Sequence, residues 1–270
     1  MLKHRIITAL VLLVITVAVI FYAPPLAFAA CCWLLCLTAI YELTKMYKFS
    51  LIQSILTLLL SSAAIVGIAI TNSDLSQIMR IVIITTWCFV APLILIFTPR
   101  KFPKISIFIF SLILFIPAYY ALNIIHAFFG AWQLVSILAI AWVADTGAYF
   151  VGRSIGKRKL APQISPGKSI EGALGGFVFV LIYLVILKSQ NVVDYLPNYG
   201  TAFKFAFILT AVSIVGDLFE SWFKRVAQVK DSGSLLPGHG GVFDRVDSLI
   251  AVIAIAYAMI SGMKITIYLH

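Results

Sequence analysis

Between Asp217 and Asp247 the sequence gathers Ser221, Lys224, Arg225, Lys230, Asp231, Asp244 and Arg245 around a glycine run, Pro237-Gly238-His239-Gly240-Gly241. Charges of both signs in a glycine-rich loop suit a metal–triphosphate site, where cations hold phosphate oxygens and carboxylates hold a divalent ion. Gly238, Gly240 and Gly241 allow the backbone to approach a ligand closely. Asp244 and Asp247 stand three residues apart at a predicted helix start, so both carboxylates are expected to face one way. Acids in a first helical turn also complement the helix dipole, which gives the pair a purely structural alternative.

A second group lies upstream. Asp145 and Tyr149 are four residues apart and share a helix face, followed by Arg153 and the basic run Lys157-Arg158-Lys159. Next come Ser165-Pro166-Gly167-Lys168-Ser169-Ile170-Glu171-Gly172. Lys168 and Ser169 precede a predicted helix whose N-terminal amides can receive an anion. The Gly167-Lys168-Ser169 triplet invites a P-loop reading, but Pro162 stands where that motif needs glycine, and no strand is expected before it.

The elements that must position these residues are membrane helices. Hydrophobic residues make up 62% of the chain and charged residues 11%, with mean hydropathy +1.07, against roughly 25% charged in ordinary domains. A helix of ~20 apolar residues crosses a hydrocarbon core of about 30 Å. Nine such runs are predicted, at about 6–23, 26–46, 51–70, 79–98, 105–125, 131–151, 170–187, 203–222 and 247–264. The fold class is therefore all-α and polytopic, one membrane domain over 1–270, with 1–130 mainly scaffold and 131–264 carrying the chemistry. With the N-terminus cytoplasmic, 16 of the 20 Lys and Arg fall on the cytoplasmic side, including both functional loops, and 4 on the other. The net charge of +10 is thus explained by orientation, and a nucleic-acid partner is excluded for want of a polar reading surface. Cys31, Cys32, Cys36 and Cys88 all lie in apolar runs and read as small hydrophobes.

An ionised side chain at membrane depth costs at least ~2.5–3.5 kcal/mol, so each acid needs a reason. Asp145, Asp217, Asp244 and Asp247 converge on one side with the basic loops and read as functional. Glu42 and Glu220 divide evenly between function and a helix-end acid snorkelling to the interface.

The run Ser221 to Asp247 resembles the signature of the phosphatidate cytidylyltransferase (CDP-diacylglycerol synthase) family. Its twelve fixed positions over 27 residues are met by Ser221, Lys224, Arg225, Lys230, Asp231, Pro237, His239, Gly240, Gly241, Asp244, Arg245 and Asp247. The runs around Asp145 and Ser165-Pro166-x-Lys168 are similar to the family too, as is the many-helix layout. The resemblance implies CTP and phosphatidate as substrates, CDP-diacylglycerol and pyrophosphate as products, and Mg2+ or Mn2+ as cofactor. Asp217, Asp244 and Asp247 are then the expected metal ligands, with Asp145 and Asp231 as further candidates. Lys224, Arg225, Lys230, Asp231, His239 and Arg245 are the expected catalytic residues. Asp145, Tyr149, Ser165, Lys168, Ser169, Glu171, Ser221, Gly240 and Gly241 are the expected substrate contacts. The implied setting is a bacterial inner membrane with the site facing the cytoplasm, in a chain that could pair as a homodimer. Another membrane CTP-dependent lipid enzyme, such as a polyprenol kinase or related CDP-lipid synthase, stays open as the alternative, and an anion transporter behind it.

Overall fold

The computed structural model describes the backbone of residues 2–70, 75–99, 101–235 and 240–268, with side chains at 11 and from 13 to 263 within those ranges. The side chains of Lys3, Arg5 and Lys264, residue Arg100 and the segment 236–239, which holds Pro237, Gly238 and His239, lie outside what is described.

Apolar runs fold as helices because only there does a chain in lipid satisfy its own backbone groups. In chain order they are α1 (Leu2–Tyr22), α2 (Pro25–Met46), α3 (Leu51–Ile70), α4 (Ser76–Ile84), α5 (Ala91–Phe97), α6 (Lys104–Phe129), α7 (Ala131–Ile155), α8 (Ile170–Ser189), α9 (Tyr199–Ala227) and α10 (Phe243–Tyr268). A π-helical turn, Thr85–Val90, joins α4 to α5 into one rod. Pro92 lacks the N–H for an ordinary helical bond, and the wider turn precedes it, with Ala91 N–H reaching back to Thr86 O. Eight helices, counting that rod as one, are long and apolar enough to cross a membrane among the described residues. With α1, they correspond one for one to the nine predicted spans, and the protein is an integral membrane protein.

α10 is the axis of the bundle. From Ile250 to Ala258 every residue is buried, so this helix is apolar all round and has protein on every side. It packs on α9, α6, α7, α4 and α2. α7 and α8 lie especially close, because Gly172 and Gly176 of α8 sit against backbone carbonyls of α7. A Cβ on either would stand 2.8 Å from the oxygen of Ala148 or Ala144. Small residues at four-residue spacing are what allow helices to approach this far in lipid.

Two expectations need correction. The 156–169 segment is not all loop: β1 (Lys159–Ala161) and β2 (Ser165–Ser169) form an antiparallel hairpin, and Lys168 rides on β2. Ser165 pairs with Ala161 and Ser169 with Lys159, so the 165–169 run is held in extended form before α8 begins. α9 also continues past its expected end at 222 to Ala227, so Lys224 and Arg225 are helical, not loop, residues. The physical reason is the aromatic cluster Phe219, Trp222 and Phe223, whose rings pack on one another and on Phe110, keeping the last turns in the bundle.

Candidate active site

α7, the hairpin, α8 and α9 enclose a cavity of about 410 Å3, within the ~300–1,000 Å3 usual for small-molecule sites. Asp145, Tyr149 and Arg153 line it from α7, Lys168 from β2 and Asp217 from α9. Ala173, Gly176, Thr210 and Ile214 complete the lining from α8 and α9. Charged side chains beside small and apolar ones suit a ligand with a phosphate head and an apolar body.

Lys168 Nζ and Asp217 Oδ2 are 2.5 Å apart, each side chain about a quarter exposed. Ser221 Oγ donates to Asp217 Oδ1 at 3.4 Å, and Arg153 Nη1 donates to the Tyr149 hydroxyl at 2.8 Å. Ser169 lines the cavity and caps α8, its Oγ accepting the Gly172 N–H at 3.1 Å. Glu171, expected to touch substrate, instead folds back onto the turn before the hairpin. It accepts the N–H groups of Lys157 and Arg158, each at 3.1 Å, and the Arg158 Nε–H at 3.2 Å.

The second group forms where α9 ends and α10 begins. Lys224 Nζ lies 2.8 Å from Asp244 Oδ1 and 2.6 Å from Glu220 Oε2. Asp244 Oδ2 accepts the Gly241 N–H at 2.8 Å and both the N–H and Oγ–H of Ser232 at 2.9 Å. Gly240 has φ +79°, and a Cβ there would stand 2.7 Å from Asp244 Oδ2, so this position needs glycine. Arg225 Nε donates to Ile164 O at 3.1 Å and ties the hairpin to α9, which joins the two groups. Lys230, Asp231 and Arg245 are exposed around this loop, and His239 falls outside the described residues.

Asp244 and Asp247 both meet α9, and their carboxylates have different hydrogen-bond partners. Asp247 interacts electrostatically with Asp217, Asp145 and Lys168 of the cavity group, and also with Glu220. The Asp247 backbone is pressed on α9, where a Cβ on Gly216 would stand 2.7 Å from its carbonyl oxygen. Among the described residues, no three Asp, Glu, His or Cys side chains converge as a ready metal centre.

Glu42 and Glu220 are 3% and 1% exposed, so neither snorkels. Sequence reading also missed Ser232, which links Glu42 and Asp244. Nothing in one sequence distinguishes such a serine, because its role depends on α2, 190 residues away.

A family model described as the cytidylyltransferase family matches residues 3–263. A phosphatidate cytidylyltransferase of Haemophilus influenzae is 35% identical over 277 residues, spanning 94% of this chain and 96% of that protein. Proteins of the same name from Pseudomonas aeruginosa and Thermotoga maritima are 44% and 42% identical over shorter stretches. Those stretches cover 47% and 49% of this chain and 46% and 50% of theirs.

Proposed function

The chain belongs to the cytidylyltransferase family, and from that membership together with the cavity we propose that it transfers the cytidylyl group of CTP to phosphatidate. The products are CDP-diacylglycerol and pyrophosphate. The observation that carries this reading is the cavity itself, whose lining sets Asp145, Asp217, Lys168 and Arg153 beside small and apolar side chains. A lipid phosphate and a nucleotide triphosphate can meet there, one from the bilayer and one from water.

An oxygen of the phosphatidate phosphate attacks the α-phosphorus of CTP. The new P–O bond forms as the bond from the α-phosphorus to the bridging oxygen breaks, and pyrophosphate leaves with that electron pair. The lipid phosphomonoester is already an anion near neutral pH, so the step needs no side chain as general base. What opposes it is repulsion between anions and their alignment, which fixed cations relieve. Lys168, freed from Asp217, is placed to hold a phosphate oxygen in the cavity. Arg153, held on Tyr149, is the second cation there.

Mg2+ or Mn2+ fits the donor set on the cavity side. Asp145 and Asp217 line the cavity, Asp247 interacts with both, and their carboxylate oxygens suit a hard cation. Bound there, the ion would neutralise charge on the triphosphate. Asp244 fits less well, because its oxygens already take four hydrogen bonds. In our reading it holds the loop.

The positive-inside bias supports a cytoplasmic position for the hairpin and for the segment that follows α9. One assay tests chemistry and sidedness together. Inside-out and right-side-out vesicles from cells producing the protein are given external CTP with phosphatidate or a panel of other lipids in the bilayer. CDP-diacylglycerol and pyrophosphate should form in equal amounts, only with phosphatidate, and only in inside-out vesicles. Stimulation by polyprenol instead would move the assignment to the lipid-kinase alternative.

A further inference from the structure

Glu42 lies in α2, in the half of the chain that the sequence assigns to scaffold, yet every hydrogen bond described for its carboxylate comes from the loop before α10 or from that helix's first residue. Oε1 accepts the Val242 N–H at 2.9 Å, and Oε2 accepts the Phe243 N–H at 2.8 Å and the Ser232 hydroxyl at 3.2 Å. Two glycines of the same loop lie flat on this carboxylate. A Cβ on Gly233 would stand 2.6 Å from Glu42 Oε1, and a Cβ on Gly241 would collide with Glu42 Oε2 and Ser232 Oγ. Described residues on both sides of the 236–239 segment therefore contact Glu42.

A bare α10 cap would need only the Val242 and Phe243 amides. The further contacts extend the network from α2 to the charged cluster: Glu42 to Ser232, Ser232 to Asp244, Asp244 to Lys224, and Lys224 to Glu220. The single Ser232 hydroxyl proton serves one carboxylate at a time, so Glu42 and Asp244 compete for one donor and are coupled through it. A carboxylate this buried persists where donors face it, and here the loop supplies them.

We infer that Glu42 is a positioning residue for CTP: its carboxylate fixes the loop that carries Gly240, Gly241 and Asp244, and through Asp244 the place of Lys224. The inference rests on reading that loop as part of the CTP site.

The test is a kinetic double-mutant cycle on the full-length protein in detergent–phosphatidate micelles, with thermal unfolding followed alongside. Glu42→Gln should lower kcat/KM for CTP by roughly 30-fold or more, the loss of a transition-state contact made through the loop. KM for phosphatidate should stay within about twofold and Tm within a few degrees, which a general loss of structure would not give. Joined to Asp244→Asn, it should add little, because both changes undo one network. Wild-type kcat/KM in Glu42→Gln, or a loss that multiplies in full with that of Asp244→Asn, overturns the inference. Full activity in Asp244→Asn alone removes the loop from the CTP site and takes this inference with it, leaving the cavity reading intact. Should Glu42→Gln not fold, Gly233→Ala tests the same contact by pushing a methyl onto the carboxylate. Adding the shorter Glu42→Asp should then recover activity several-fold, and no recovery contradicts the inference.

Discussion

Lys168 and Lys224 carry the same charge and both sit on carboxylates, but their surroundings give them different work. Lys168 is about a quarter exposed in the cavity lining and pairs with an acid that is equally open. Pairs this wet contribute ~0–1 kcal/mol to stability. Lys168→Ala should therefore fold normally and lose turnover by roughly 30- to 1000-fold, the ~2–4 kcal/mol of one cation on transferring phosphate. Lys224 lies between Glu220 and Asp244, whose side chains are 1% and 6% exposed. Removing it leaves two buried acids facing each other, a change worth ~3–5 kcal/mol. Lys224→Ala should lower Tm clearly in detergent where Lys168→Ala does not. Initial rates and thermal unfolding of the two variants side by side check this, and equal Tm values would contradict it.

At the scale of elements, the hairpin supplies Leu160, Gly167, Lys168 and Ser169 to the cavity lining, and the end of α9 holds the hairpin. Arg225 is the link, through its hydrogen bond to Ile164 O. Arg225→Ala should free the hairpin from α9, raising hydrogen exchange across residues 159–169 while the cores of α7 and α9 stay protected. Unchanged exchange in the hairpin would show that the tie is not what holds it. The sequence made the spans legible because length and apolar composition alone decide them, and the predicted edges of α3 and α6–α8 lie within a few residues of those observed. It hid the hairpin because five residues containing Pro166 and Gly167 read as turn, and their strand form depends on pairing with Lys159–Ala161. It hid the last turns of α9 because Lys224 and Arg225 look like the edge of the membrane, whereas Trp222 and Phe223 are buried in the bundle.

Across the whole molecule, the two motif-bearing stretches meet through α9. The sequence marked both, but it joined Asp244 to Asp247 on their spacing and on the family signature. In the folded chain Asp247 joins Asp145 and Asp217, which stand 102 and 30 residues before it in the sequence, while Asp244 turns to Lys224 and Ser232. Nor is the division into scaffold and catalytic halves clean, because Glu42 crosses it. The central claim is that the acids of α7, α9 and α10 beside the cavity serve the divalent ion and the reaction, while Asp244 serves the loop. Its most direct test is CDP-diacylglycerol formation against Mg2+ concentration for Asp145→Asn, Asp217→Asn, Asp247→Asn and Asp244→Asn, with Mn2+ as a second ion. The first three should lose turnover by orders of magnitude and need more Mg2+ for what remains, whereas Asp244→Asn should lose turnover at an unchanged Mg2+ requirement. A wild-type Mg2+ profile in Asp145→Asn, Asp217→Asn and Asp247→Asn, or a shifted profile in Asp244→Asn alone, would contradict the account.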